Sequence, residues 1–281
     1  MAAPAQLLSS GFSIAAIFIW GTSDFLGGYA AKRANAFLLT MLAHASGLVL
    51  MLVLALSVHS AFPDRSSILW ALAAGASGGA ALAIFYRTLA EGKMGLTAPV
   101  AAVLGAVIPT CFGIWKEGLP HAWQVVGFIV AAAGIWLISR QEDEDGRPEG
   151  IGMAVLAGMG FAGFFLFIKQ TGESAAFWSA AISRAGSLVL VGLIVLFSQA
   201  PKRIDRKGAL LGVVAGCLDT LGTAIFIRAS QTGRLDAAVV LSSLYPAVTV
   251  GLAWLVLKER ITRWRVVGML AAIAAVPMIA A

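Results

Sequence analysis

The chain has 281 residues, of which 59% are hydrophobic and 12% charged, with a formal net charge of +6. A soluble domain of this length keeps roughly a quarter of its residues charged to hold a solvated surface, so a soluble globular fold is excluded. Nucleic-acid binding is excluded with it, because the basic residues sit in short clusters between apolar blocks, such as Lys202, Arg203, Arg206 and Lys207, and not on one phosphate-binding face.

Each apolar block is close to the ~20 residues that cross a hydrocarbon core of about 30 Å. The segment 1–10 lacks a basic n-region, so the first block reads as a retained helix and not a cleaved signal. In chain order the blocks predict helices over 11–30, 36–57, 68–87, 95–115 and 123–139, then 150–168, 175–198, 208–228, 236–257 and 264–280. Between the two sets lies 141–149, the most acidic stretch in the chain, with Pro148 near its end; it reads as a linker.

Ionisable side chains are expensive inside a membrane helix and tend to face the bundle interior, where substrates and protons move. The first helix carries Asp24 one turn from Trp20, with Gly27 and Gly28 leaving space on the same side. Asp24 is read as a substrate-binding and proton-coupling candidate, or as a side chain snorkelling towards Lys32 and Arg33. His44, central in the second helix, is either a proton relay or a helix-to-helix hydrogen bond. Arg184 in the seventh helix and Asp219 in the eighth are either a register-fixing ion pair or groups that bind a charged substrate, Asp219 also being a proton-coupling candidate.

Tyr86, Trp178 and Tyr245 join Trp20 as candidate pocket walls, the alternative being packing or interfacial anchoring. Pro246, after Tyr245, lacks an N–H and frees a carbonyl mid-helix where a substrate or water can bind; Pro99 in the fourth helix offers the same. The pairs Gly75/Gly79 and Gly212/Gly216 form small-xxx-small faces for close helix approach, the alternative being a dimer interface. Cys111 and Cys217 lie in apolar blocks without metal-ligand spacing and read as packing residues, so no metal is expected.

An internal repeat runs through the chain. Ala83-Ile84-Phe85-Tyr86-Arg87 recurs 141 positions on as Ala224-Ile225-Phe226-Ile227-Arg228, and Gly92-Lys93 recurs as Gly233-Arg234. Trp123-Gln124-Val125-Val126-Gly127 recurs as Trp264-Arg265-Val266-Val267-Gly268 at the same offset. Ala45-Ser46-Gly47-Leu48-Val49-Leu50 resembles Ala185-Gly186-Ser187-Leu188-Val189-Leu190, shifted by 140. The fold class expected is an all-α membrane protein of ten transmembrane helices, formed by two inverted five-helix repeats, 1–140 and 150–281. Five is odd, so the second copy starts on the opposite side and is inverted. Inverted repeats supply the two near-equal states that alternating access requires.

Fourteen of the 20 Lys and Arg fall on one side of this arrangement, five on the other, and Arg184 lies within a helix. The positive-inside rule puts the fourteen in the cytoplasm and both termini outside, in the plasma membrane of a bacterial cell, the inner membrane.

The C-terminal half carries Leu241-Ser242-Ser243-Leu244-Tyr245-Pro246, Leu255-Val256-Leu257-Lys258-Glu259-Arg260 and Val266-Val267-Gly268-Met269-Leu270, and the first helix has Trp20-Gly21. On these motifs the chain resembles the EamA family of the drug/metabolite transporter superfamily, as two copies of its repeat. Pro246 maps onto Gly105, so the first copy departs from the pattern and has Pro99 and Pro109 nearby. The resemblance implies a metabolite or drug transporter, usually an exporter, and cytoplasmic termini, against the charge count.

No nucleotide-binding run G-x-x-x-x-G-K-[ST] occurs, so gradients must supply the energy. An intramembrane enzyme would need H-E-x-x-H, G-x-S-x-G or paired carboxylates with metal ligands, and a channel would need rings of one charge; none is present. The expectation is a secondary transporter, not an enzyme and without catalytic residues or cofactors, exporting small organic metabolites such as amino acids. The alternative substrate is a drug, amphiphile or lipid-like molecule. Its partners are a small-molecule substrate, protons as a candidate coupling ion, and the lipid bilayer, with no nucleic acid, as a monomer or homodimer.

Overall fold

A computed structural model of the chain describes residues 3–31, 35–90, 94–139, 151–171, 175–197, 204–258 and 261–280, without the side chains of 3, 31, 36, 83, 85–90, 94–99 and 151. Among the described residues the secondary structure is helical, with no strand. The helices are α1 (Ala3–Ala31), α2 (Ala36–Ser57), α3 (Arg65–Ala90), α4 (Met94–Glu117), α5 (Ala122–Ser139), α6 (Ile151–Lys169), α7 (Ala176–Phe197), α8 (Arg206–Thr232), α9 (Leu235–Ser242), α10 (Tyr245–Leu257) and α11 (Arg263–Ala280). Among the described residues, nine segments are long and apolar enough to cross a membrane, α9 and α10 together forming one. The Ala-, Gly- and Ser-rich α3, of 26 residues, is the further long helix. The chain is a multi-pass membrane protein of nine to ten spans.

Side-chain size is sorted the way lipid demands. The buried set is dominated by Ala, with Ser and Thr among it, while Phe18, Val49, Leu56, Leu196 and Phe197 point outwards at 60% exposure or more. Hydrocarbon solvates large aliphatic groups as well as a protein core does, so packing favours small residues that bring backbones together. Gly75 and Gly216 use this to the limit. A Cβ at Gly75 would overlap the Ser183 carbonyl, and one at Gly216 the Ala43 carbonyl, so α3 and α7, and α8 and α2, touch backbone to backbone.

The helices pair mostly across the chain's midpoint. Helix α1 lies along α8 and beside α10, α2 packs on α7 and α8, α3 on α6 and α7, α4 on α6, and α5 on α11. Both described termini lie at one end of the bundle, here the terminus end. The end of α1, the start of α2, the end of α5 and the start of α6 lie at the other, here the linker end. The acidic segment 141–149 lies outside the described residues, so the expected linker has no structural description.

Two expected boundaries move. Helix α1 begins at Ala3 and not at residue 11, because Gln6 and Ser9 in its first turns are buried against other helices and bond to them. Ser9 Oγ donates to the Ala229 carbonyl at 2.7 Å, and Gln6 Oε1 accepts from the Arg234 amide at 3.2 Å. The ninth span is not one helix with a proline in the middle. It breaks at Ser243–Leu244 into α9 and α10, and Pro246 sits in the first turn of α10, where a missing N–H costs nothing. Local caps fix other ends. Asn35 Oδ1 accepts from the Phe37 and Leu38 amides to start α2, and Asp205 accepts from Gly208 to start α8.

Candidate functional site

A cavity of about 500 Å³ lies between the halves, bounded by α1, α2, α3, α4, α6, α7, α8 and α10. Its lining lies in the middle of the bundle and in the linker-end portions of the helices. Trp20 to Gly28 of α1, Leu39 to His44 of α2, Gly75 to Leu82 of α3 and Gly212 to Thr223 of α8 contribute to it. It therefore faces the linker end.

Small residues make the space and a few large ones shape it. Gly222 lets α8 receive the Trp20 indole, since a Cβ there would lie 2.6 Å from Trp20 Cδ1. The indole N–H donates to the Asp219 carbonyl at 3.0 Å, which fixes the ring. Phe165, Phe226 and Tyr245 surround it, with centroids 6.3, 5.7 and 6.1 Å away. The break before α10 brings Ser243, Tyr245 and Pro246 to the wall, and Thr249 Oγ1 donates to the Gly21 carbonyl at 3.1 Å, tying α10 to α1.

Of the two deep charges, Arg184 and Asp219 meet. Nη2 of Arg184 lies 2.9 Å from Asp219 Oδ2 and donates to Thr223 Oγ1 at 2.5 Å. The geometry is that of the ion pair the sequence offered, and both residues also line the cavity. Arg184 is 8% exposed, and among the described residues its Nε has no hydrogen-bond partner. His44 also lines the cavity, buried, with Nδ1 likewise unpartnered among the described residues. Asp24 is exposed to the cavity, and no described residue forms an ion pair or hydrogen bond with it.

The structure thus brings Trp20, Asp24, His44, Arg184, Asp219, Tyr245 and Pro246 to one cavity. Trp178 is elsewhere. Its indole donates to the Ser60 carbonyl at 3.1 Å and stacks edge-on against Phe62 at 4.9 Å, fastening the start of α7 to the α2–α3 connection. Its position one turn into a helix, beside the membrane boundary, is the physical reason it anchors and does not line. Tyr86 and Pro99 lie in α3 and α4, but their side chains are outside the described residues.

A second polar cluster, absent from the sequence reading, closes the terminus end. Asp236, fully buried in the first turn of α9, accepts from Arg234 twice, at 3.0 Å from Nε and 2.6 Å from Nη2, and from the Ala237 amide at 2.7 Å. Arg234 also donates to the Gly118 carbonyl at 2.6 Å, and the Glu117 carboxylate accepts from the Leu235 amide at 3.2 Å, so the end of α4 is held to the start of α9. Lys169, at the end of α6, lies 3.9 Å from Glu117 Oε1 and donates to the Ser230 carbonyl of α8. The Asp236 hydrogen bonds raise the Arg234 guanidinium further above its ordinary range, so this charge persists at any physiological pH. The signal available in the sequence was Arg234-Leu235-Asp236 at a helix start, where an acidic residue in the first turn suits the helix dipole.

No curated protein matches the chain. A solved structure described only as "Crystal structure of protein" is similar in fold, with a TM-score of 0.77 over 96% of this chain and 97% of that chain, at 16% identity. At that identity the likeness concerns the fold alone. Residues 148–281 match the model of the EamA-like transporter family, a family of the drug/metabolite transporter superfamily.

Proposed function

We propose that the chain is a gradient-driven transporter that moves small organic metabolites, amino acids and related compounds among them, out of a bacterial cell by alternating access. Its working parts are two inverted five-helix halves, 1–140 and 150–281. The observation that carries this reading is that the inter-half contacts repeat when the halves are exchanged. Gly75 meets Ser183 as Gly216 meets Ala43, and Gly79 meets Ser187 as Thr220 meets Gly47. Trp20 fits over Gly222 as Gly160 fits over Ala81, and Gly127 meets Ile279 as Gly268 meets Ile138. Each pair maps onto the other by the repeat offset of 140 or 141 positions. Such a pseudo-twofold gives two conformations of similar energy around one central cavity.

In the conformation described, the cavity faces the linker end and the Glu117–Lys169–Arg234–Asp236 cluster closes the terminus end. The fourteen-to-five distribution of Lys and Arg supports a cytoplasmic linker end and external termini. The cavity then loads from the cytoplasm, as export requires. Since one chain carries both halves, a monomer suffices. Drug-like or amphiphilic substrates are the second reading, favoured by the aromatic wall of Trp20, Phe161, Phe164, Phe165 and Tyr245.

The test is exchange by proteoliposomes loaded with a mixed pool of amino acids, amines and amphiphiles, read by mass spectrometry with and without a proton gradient. Gradient-sensitive movement of a defined compound is the expected outcome. Folded protein that moves nothing from the pool would overturn the transporter reading.

A further inference from the structure

We infer that the plug between the central cavity and the terminus end holds a second, collapsed site, the exit half of the transport path. Its hydroxyl and amide groups receive the uncharged hydrogen-bonding groups of a polar substrate when that end opens. The inference rests on the reading of the chain as an alternating-access transporter. It begins with α1, where Gln6, Ser10 and Ser13 precede Trp20 and Asp24 at helical spacing. They continue the cavity-lining face of that helix towards the terminus end. On α8, Ser230 continues the face of Gly212, Asp219 and Thr223 in the same direction. Ser242 ends α9 beside Ser243, which lines the cavity.

These groups are poorly served where they lie. Gln6, Ser10 and Ser242 are 8%, 3% and 0% exposed. Among the described residues, Gln6 Nε2, Ser10 Oγ and Ser242 Oγ have no hydrogen-bond partner. Ser13 Oγ turns back on the Ser9 carbonyl, and Ser230 Oγ on the Ile227 carbonyl, each within its own helix. A buried donor or acceptor without a partner destabilises the conformation that holds it. The fold itself does not require the polarity. By the repeat offset of 140 or 141 positions, Ser13, Ser230 and Ser242 correspond to Met153, Leu89 and Ala101, which carry no hydroxyl. The polar groups therefore serve a different conformation, one in which water and substrate reach them.

The chemistry of the stripe sets what it passes. Between the terminus end and Asp24, α1 carries no charged side chain. Such a surface offers donors and acceptors without holding an ion, which suits brief contact and release of a polar molecule. An apolar body gains nothing from it, and its burial there would leave the same hydroxyls without partners. The exit site thus favours polar metabolites over the amphiphiles of the second reading.

Two measurements on the full chain test this without relying on flux. The double variant Ser10→Ala/Ser242→Ala should melt about 2 °C or more above wild type in detergent, because two unpartnered buried hydroxyls are gone. A melting temperature equal to or below wild type would assign the hydroxyls to architecture and overturn the inference. In a Cys111→Ala/Cys217→Ala background in proteoliposomes, Ser10→Cys should react with a membrane-impermeant thiosulfonate about tenfold or more faster than Val49→Cys. Val49 is 60% exposed but faces lipid, where a thiol stays unreactive. Equal rates would show that no aqueous passage opens along α1 and overturn the inference. Where the mixed pool yields a transported compound, its exchange should fall about tenfold in Ser10→Ala/Ser242→Ala, and unchanged exchange would overturn the inference. Movement of a compound without labelling of Ser10→Cys would sink the exit site alone. Labelling and stabilisation without any movement would sink the transport reading alone.

Discussion

At the terminus end, helices are fastened by charged side chains that grip backbone carbonyls and amides, with Arg234 on Gly118, Glu117 on Leu235 and Lys169 on Ser230. Around the cavity they are fastened by the absence of side chains, with Gly75 against Ser183 and Gly216 against Ala43. The two kinds of contact respond differently to motion. Every charged partner at the terminus end can exchange its protein contact for water, so that end can separate at modest cost. A backbone-to-backbone fit has no such substitute, which makes α2 with α8, and α3 with α7, bodies that move whole.

Three changes would break or sharpen this contrast. The largest effect is expected from Arg184→Leu, which leaves the Asp219 carboxylate unpaired in the cavity wall. It should destabilise the protein by about 3 kcal/mol, seen as a lower melting temperature in detergent, with much of the loss recovered in the double variant Arg184→Leu/Asp219→Leu. A single variant as stable as wild type would mean that the pair serves substrate binding and not architecture.

Next in size is Asp236→Asn, which weakens the terminus-end fastening while leaving the glycine contacts alone. Labelling of Ser13→Cys, a position fully buried on α1, by a membrane-impermeant maleimide should become roughly tenfold faster in this background. Unchanged labelling would show that the polar cluster does not control access. Applied to intact cells, the same labelling also reports which side the terminus end faces.

The smallest effect concerns Asp64, exposed at the start of α3. Hydrogen bonds from the Ser67 side chain and backbone hold its carboxyl below the usual range. A depressed folded-state value contributes stability above the ordinary carboxylate pKa of about 3.9 and loses it as the pH falls through the lower folded value. Asp64→Ala should therefore melt slightly below wild type at pH 7 and converge with it in acid. A gap that persists in acid would assign the effect to helix propensity.

The membrane-length segments, and the convergence of the deep ionisable residues on one cavity, were legible because apolar blocks and isolated charges are strong signals one residue type at a time. What was missed depends on partners. Gln6 and Ser9 fall in a flank before the expected first helix until α8 and the start of α9 supply a carbonyl and an amide beside them. Lys169 counted as a topology signal, although its target is a Ser230 carbonyl on another helix that no local pattern discloses, and Arg234 reaches beyond the nearby Asp236 to the Gly118 carbonyl. Trp178 shows that residue type alone is a poor guide, since an aromatic at a helix start anchors to a neighbouring connection and does not reach the pocket. Pro246 marked its helix correctly as irregular, but the break falls before it, because a proline is tolerated in a first turn.

The cross-midpoint pairing of helices has a consequence for synthesis. Helices α1, α2, α3 and α5 find their main partners in α6 to α11, so the first half has little core of its own. At 5–20 residues per second, roughly ten seconds pass between completion of α5 and emergence of the last partner helix. During that interval Asp24 and His44 wait in or near the bilayer without the helices that will later enclose them. The first five helices must therefore be sheltered by the insertion machinery or by lipid-headgroup contact, and the chain is most exposed to quality-control proteolysis before its second half is made.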